Sequence, residues 1–235
     1  MTIRENVLRV RERMEKAALA AGRRPEEIAL VAASKMNDAS RVREAVAAGV
    51  DACGENRVQE LLQKLEQGAY EGAPLHFIGH LQKNKVRQIV GRVSLIHGAD
   101  DVELLRLIDR CAAARGLTQD LLLEVNVGRE PQKSGFAPED LDEALESAAG
   151  LSHLRVRGLM AIPPAAADER ALRQYFTKME RLFVDIGRKK YDNSSMDFLS
   201  MGMSGDFELA IACGSNLVRV GTAIFGRRPQ PEHLA

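Results

Sequence analysis

The sequence predicts an α/β fold: a single (β/α)8 barrel of the TIM type with one extra helix at its N-terminus. Three observations carry this. Apolar runs of strand length alternate with helical stretches about eight times, and such alternation implies a parallel sheet with helical crossovers. The eight units fill most of a 235-residue chain, near the small end of a fold that starts at roughly 200 residues. The first strand runs into SKMND rather than the glycine-rich turn expected of its competitor, an open doubly wound sheet.

Residues 1–22 read as the extra helix. Val7, Val10, Met14, Ala17 and Ala21 recur at spacings of three and four, and Gly22 suits the stop. Strand-like runs then fall at 27–34, 51–56, 75–79, 94–98, 121–127, 154–162, 198–202 and 217–226. Helical stretches fall between them at 38–48, 56–67, 82–91, 101–115, 138–148, 168–188 and 205–213. No repeat, low-complexity tract or Pro/Gly/Ser linker divides the chain, so residues 1–235 are expected to form one domain. Residues 227–235, RRPQPEHLA, read as a loose C-terminal tail.

Composition narrows the function. Thirty-three basic residues cancel thirty-three acidic ones, which removes the whole-molecule basic field of a nucleic-acid binder. Aromatics are 4% with no Trp, so a base-stacking surface is thinly supplied. Cys53, Cys111 and Cys213 are odd in number and far apart, with no CxxC, which supports neither a zinc ribbon nor a disulfide framework and suggests a reducing compartment. The N-terminus is charged and amphipathic, unlike a signal peptide. No apolar run approaches the length of a membrane span. The expectation is a cytoplasmic protein that engages neither membrane nor nucleic acid.

The first strand ends in Lys35. Strand parity puts Ala29, Val31, Ala33 and Lys35 on one face and Ile28, Leu30, Ala32 and Ser34 on the other. Lys35 is then the only charge on its face, at the C-terminal mouth where barrel active sites sit. An apolar setting lowers a lysine's pKa and frees its amine to attack carbonyls. A lysine that has merely reached solvent fits the position as well.

A second cluster lies near the C-terminus. In SMGMSGDFELAI a strand ends near Gly202, and Ser204, Gly205 and Asp206 open a helix, with Ser204 as the expected N-cap. The last strand carries LVRVGTAIFG, where Gly221 and Thr222 offer a close backbone approach and a hydroxyl. Barrels often hold phosphate with the loops after strands seven and eight. Ordinary capping explains each feature alone; together they favour phosphate. Arg219 shares a face with Leu217, Gly221, Ala223 and Phe225, so it is expected to point into the barrel. A buried guanidinium needs a partner, either Glu124 or the ring nitrogen of a cofactor. A lysine nucleophile, a phosphate cradle and an inward arginine together describe a pyridoxal 5′-phosphate (PLP) site. An arginine on the ring nitrogen would weaken the ring as an electron sink.

The chain resembles the pyridoxal phosphate homeostasis protein family, the alanine-racemase N-terminal-domain-like proteins. Seven stretches carry the likeness: LVAASK, GENRVQE, HFIGHLQKNK, EVNVGREPQKSGF, RGLMAIPP, LSMGMSGDFELAI and GSNLVRVGTAIFG. The resemblance implies PLP held as an internal aldimine, a Schiff base, on Lys35. It implies phosphate contacts from Ser204, Gly205, Gly221 and Thr222. Asn56, Ser200 and Met201 would line the ring or the aldimine region, and Arg219 would face the ring nitrogen. The family is regarded as handling intracellular PLP (vitamin B6) supply and influencing amino-acid and keto-acid pools, without established turnover. Related racemases add a second domain that supplies a catalytic tyrosine, and nine residues after Gly226 are too few for one. Arg57, His80, Lys83 and Asn216 depart from the family's commoner residues, but none touches Lys35 or the phosphate loops.

Weaker signals remain. His76 and His80 can share a strand face, but no carboxylate or thiol accompanies them at ligand spacing, and no metal is expected. Lys83, Lys85, Arg87 and Arg92 read as a solvated helix face. Residues 130–135 are long for a barrel loop and suit a mobile flap over the mouth. Three functions follow: a PLP carrier and buffer serving apo-enzymes, a slow racemase or lyase, or an interaction module. The carrier, as a monomer, is favoured, because Tyr70, Tyr175 and Tyr191 all lie away from the mouth motifs.

Overall fold

A computed structural model describes residues 1–226, and the tail expected at 227–235 lies outside the described residues. Helix α1 (Ile3–Ala20) begins at Thr2, whose hydroxyl accepts from Glu5 N–H while the Glu5 carboxylate accepts from Thr2 N–H. Ile3, Val7, Val10, Met14 and Ala18 form its buried stripe. Eight strands follow: β1 (Ala29–Ala33), β2 (Ala52–Glu55), β3 (Leu75–Phe77), β4 (Leu95–Ala99), β5 (Gln119–Glu124), β6 (Leu154–Met160), β7 (Ser194–Ser200) and β8 (Leu217–Val220). Each pairs in parallel with the next, and β8 pairs with β1 to close the barrel. The crossovers carry α2 (Ala39–Ala47), α3 (Val58–Glu66), α4 (Val86–Ile89), α5 (Val102–Ala113), α6 (Leu141–Ala149), α7 (Glu169–Arg188) and α8 (Phe207–Ala212), and α9 (Thr222–Phe225) follows β8. No helix among the described residues is long and apolar enough to cross a membrane.

Both strand faces are apolar because both are covered. Val31, Ala33, Ala52, Leu95, Leu122, Met160 and Leu217 pack together inside the barrel. Leu30, Ala32, Cys53, Ile96, Leu121, Leu123, Val218 and Val220 face the helices. The alternation read for strand 27–34 is thus the division between the two cores.

Several boundaries differ from expectation; β1, for one, ends at Ala33 and leaves Lys35 in the turn beyond it. The strand expected at 217–226 stops at Val220, and Gly221 turns the chain into α9, so Ala223 and Phe225 do not continue the face of Arg219. The helix expected at 82–91 is a 3-10 turn (Lys83–Lys85) followed by the single turn α4, which suffices to bury Val86 and Ile89. Strand β7 starts four residues before its apolar run. Ser194 and Ser195 at its start are polar and half-buried, and pairing with β6 through Val156↔Ser194, not hydrophobicity, begins the strand there.

Candidate functional site

Barrel closure assembles the mouth. The turn after β1 carries Lys35, half-buried, between the ends of β2 and β8. Ser34 N–H donates to Gly54 O (2.9 Å) on one side. On the other, a Cβ added at Gly221 would sit 3.4 Å from Ala33 O. Lys35 therefore stands beside the rim formed by the loops after β7 and β8. Asn56, half-buried, follows β2 on the opposite side. The β3 loop presses on it so closely that a Cβ at Gly79 would lie 2.6 Å from Asn56 O, which only glycine permits.

Ser204 does not cap α8, the helix that follows it. Its hydroxyl accepts from Gly221 N–H (3.1 Å) and Ala223 N–H (3.3 Å), tying the two loops together. Helix α8 starts two residues later than expected, at Phe207, with Asp206 at its N-cap position. The Asp206 carboxylate instead accepts from Met203 N–H (2.6 Å). Among the described residues no hydrogen bond engages the N–H groups of Ser204, Gly205 or Thr222. Gly205 and Thr222 are exposed, and a Cβ at Gly205 would meet open space. A rim with three unused amide donors and no carboxylate pairing them suits a phosphate.

Arg219 points into the barrel and is 4% exposed. One guanidinium nitrogen donates to Ser200 Oγ and another to Ala161 O (3.0 Å). No ion pair joins Arg219 to Glu124 among the described residues, although Glu124 is close enough to favour the arginine's charged form. Burial lowers the Arg219 pKa to about 10. Burial and the neighbouring Asp100 raise that of Glu124, against a weaker opposing pull from Arg219. Ser200 is fully buried at the end of β7. Met201 is also buried, but its side chain belongs to the outer core, so only its main chain borders the mouth.

The histidines separate. His76 lies inside the barrel, where its Nδ1 meets His97 Nε2 (3.1 Å). His97 Nδ1 reaches Ser200 Oγ (3.0 Å), which joins both rings to Arg219. His80 is exposed and pairs with Asp100 (2.8 Å). No cluster of metal-ligating residues forms among the described residues. Sequence reasoning missed the His97–His76 pair, although the run SLIHG puts Leu95 and His97 on one face and Leu95 is interior. The segment 130–135 is tied down rather than loose. Asn126 Nδ2 donates to Glu130 O (2.9 Å), and Lys133 pairs with Glu130 (2.5 Å) and donates to Pro163 O (3.2 Å).

The alanine racemase N-terminal domain model matches residues 2–229. A relative from Aquifex aeolicus named pyridoxal phosphate homeostasis protein is 42% identical over 95% of this chain and 97% of its own. PipY of Synechococcus elongatus, solved with PLP bound, is 34% identical and superposes with a TM-score of 0.79 over 91% of this chain and all of that one. An alanine racemase from Streptomyces lavendulae, 19% identical, covers 98% of this chain but only 58% of its own (TM-score 0.76) and shares the fold alone. With near-complete coverage at these identities, the chain belongs to the pyridoxal phosphate homeostasis proteins of the alanine racemase N-terminal domain family.

Proposed function

We propose that this protein binds PLP reversibly at the barrel mouth and serves as an intracellular carrier and buffer of the cofactor, affecting amino-acid and keto-acid balance. The observation that carries the proposal is the β1–β8 closure, which sets the Lys35 turn beside the amide-rich rim of Ser204, Gly205, Gly221 and Thr222. When bound, PLP supplies a carbonyl that captures amines. Lys35 is the amine that would hold it. The unused N–H groups of Ser204, Gly205 and Thr222 and the Thr222 hydroxyl would hold the phosphate, with Gly221, its own N–H given to Ser204, allowing the close approach. Arg219, with donor capacity beyond its bonds to Ser200 and Ala161, would face the ring nitrogen. Asn56 and Ser200 would border the ring, and Met201 would contribute main chain only. The same reading takes residues 1–235 as one domain, a cytoplasmic monomer that hands PLP to apo-enzymes. The free thiols of Cys53, Cys111 and Cys213 suit a reducing compartment.

Arg219→Ala removes the charged donor facing the ring. Losing a hydrogen bond to a charged group costs roughly 1.5–3 kcal/mol, so PLP binding is expected to weaken by about 10–100-fold, with a shifted visible absorbance. Equilibrium dialysis checks the affinity. Unchanged affinity and spectrum would remove Arg219 from the site.

The competing function is a slow racemase or lyase. Racemisation needs acid–base groups on both faces of the substrate. Lys35 supplies one. Among the described residues no tyrosine takes that place at the mouth: Tyr70 is buried against Glu55, Tyr175 packs on the outer core from α7, and Tyr191 bonds Asp142 on the surface. Missing one positioned proton-transfer group typically costs about 10²–10⁴-fold. Loaded protein incubated with L-alanine in D₂O is expected to show α-deuteration far below the enzymatic range by NMR. Exchange at about 1 s⁻¹ or faster would sink the carrier function in favour of an enzyme.

A further inference from the structure

Behind the β1 turn, on the helix side of the barrel wall, lies a buried polar cluster that the proposed site does not use. Lys64 of α3 is 5% exposed, and Glu55 at the end of β2 is completely buried. The Lys64 ammonium donates to three oxygens: Ser34 O (2.9 Å), Glu55 Oε1 (2.7 Å) and Glu60 Oε1 (2.6 Å). Glu55 Oε1 also accepts from Ser34 Oγ (2.7 Å) and Tyr70 OH (3.1 Å). Glu60 Oε1 accepts in addition from Met36 N–H. A lysine is almost never buried unless paired, and here every ammonium proton has an acceptor.

The groups held are Ser34 O and Met36 N–H, from the residues immediately before and after Lys35. Met36 has φ +62, a left-handed conformation that a side-chain-bearing residue keeps only where its surroundings impose it. We propose that Lys64, acting with Glu60 and the buried Glu55, is a positioning residue that clamps the backbone on both sides of Lys35 and so fixes the direction in which the Lys35 amine leaves the barrel wall. This rests on Lys35 being the amine that captures PLP. Misplacing a reacting group by about 1 Å can cost on the order of 10²-fold in rate, so a clamp on the flanking backbone bears directly on capture.

The test compares Lys64→Met, Glu60→Ala and Glu60→Gln with the unaltered protein. One measurement is the rate at which apo-protein and PLP yield a borohydride-trapped adduct on the Lys35 peptide, read by mass spectrometry. The other is amide hydrogen exchange at Met36 in the apo-protein. Glu60→Ala and Lys64→Met are expected to slow capture roughly tenfold or more and to accelerate exchange at Met36. Glu60→Gln keeps an oxygen for both donors and is expected to stay near the unaltered rate, a rescue that general destabilisation would not produce. Glu60 is only half-buried, so its alanine variant keeps the test decisive if Lys64→Met fails to fold. Capture and Met36 exchange both unchanged in Glu60→Ala would overturn the clamp. An adduct on a different lysine of the unaltered chain would instead overturn the role of Lys35, while Met36 exchange still reports the clamp.

Discussion

Lys35→Ala is expected to abolish the borohydride-trapped PLP adduct while leaving the barrel intact. The Lys35 turn is the one set beside Gly221, where a Cβ would lie 3.4 Å from Ala33 O, whereas Lys133 is engaged with Glu130 and Pro163 O on the β5 and β6 loops. Lys35 is half-buried in a turn, outside both apolar cores, so truncation is expected to change stability by no more than about 0.5 kcal/mol. Trapped protein is digested and weighed, and circular dichroism confirms the fold. PLP held through the rim amides alone would persist as a dialysable fraction. A trapped adduct of undiminished yield in the variant would place the attachment elsewhere and dissolve the proposed site.

The second large effect is a loss of stability in mild acid. His76 is inside the barrel, and burial pushes its pKa down to about 4 from 6.5. Burial, then His76 and then Arg219, pushes His97 well below its ordinary value. Both rings are therefore neutral in the fold, and the unfolded chain binds more protons between those limits. Stability from the pair is fully present above about pH 6.5 and falls as pH drops toward 4. His76 alone accounts for on the order of 3 kcal/mol, a large share of the 5–15 kcal/mol of a typical domain. The surface carboxylates Asp142 and Glu208, held low by Lys189 and Arg13 respectively, begin to lose their contribution only below about pH 4.5, at the acid end of that range. Urea unfolding at several pH values, followed by circular dichroism because the chain lacks Trp, is expected to show the midpoint falling between pH 6.5 and 4. His76→Asn, which keeps a polar atom near the Nδ1 position, is expected to flatten that slope. An equally steep slope in the variant would assign the acid sensitivity to other groups.

The sequence alone determined the barrel and much of the mouth, because those features are local or periodic. The double-sided alternation in IALVAAS separates interior from helix-facing residues without any knowledge of neighbours. It brings Lys35 to the C-terminal end of the first strand, where the structure sets it in the turn just beyond β1, and strand parity turns Arg219 inward. What only the tertiary structure decided are pairings between residues distant in the chain. Ser204 looks like a helix cap in its own segment, yet barrel closure presents it with the N–H groups of Gly221 and Ala223, and it serves those instead. His97 meets His76 and Ser200 only because three non-adjacent parts of the chain converge inside the barrel. Lys64 sits on α3 three residues after the buried Leu61, in a segment whose sequence names no partner for its charge beyond its own helix. Its burial follows from a carboxylate on β2, another on its own helix and a carbonyl just after β1 converging at one point. Periodicity records which face a residue shares, and that is set by backbone geometry. Which partner it finds there depends on closure of the whole sheet, a long-range event that no window of sequence contains.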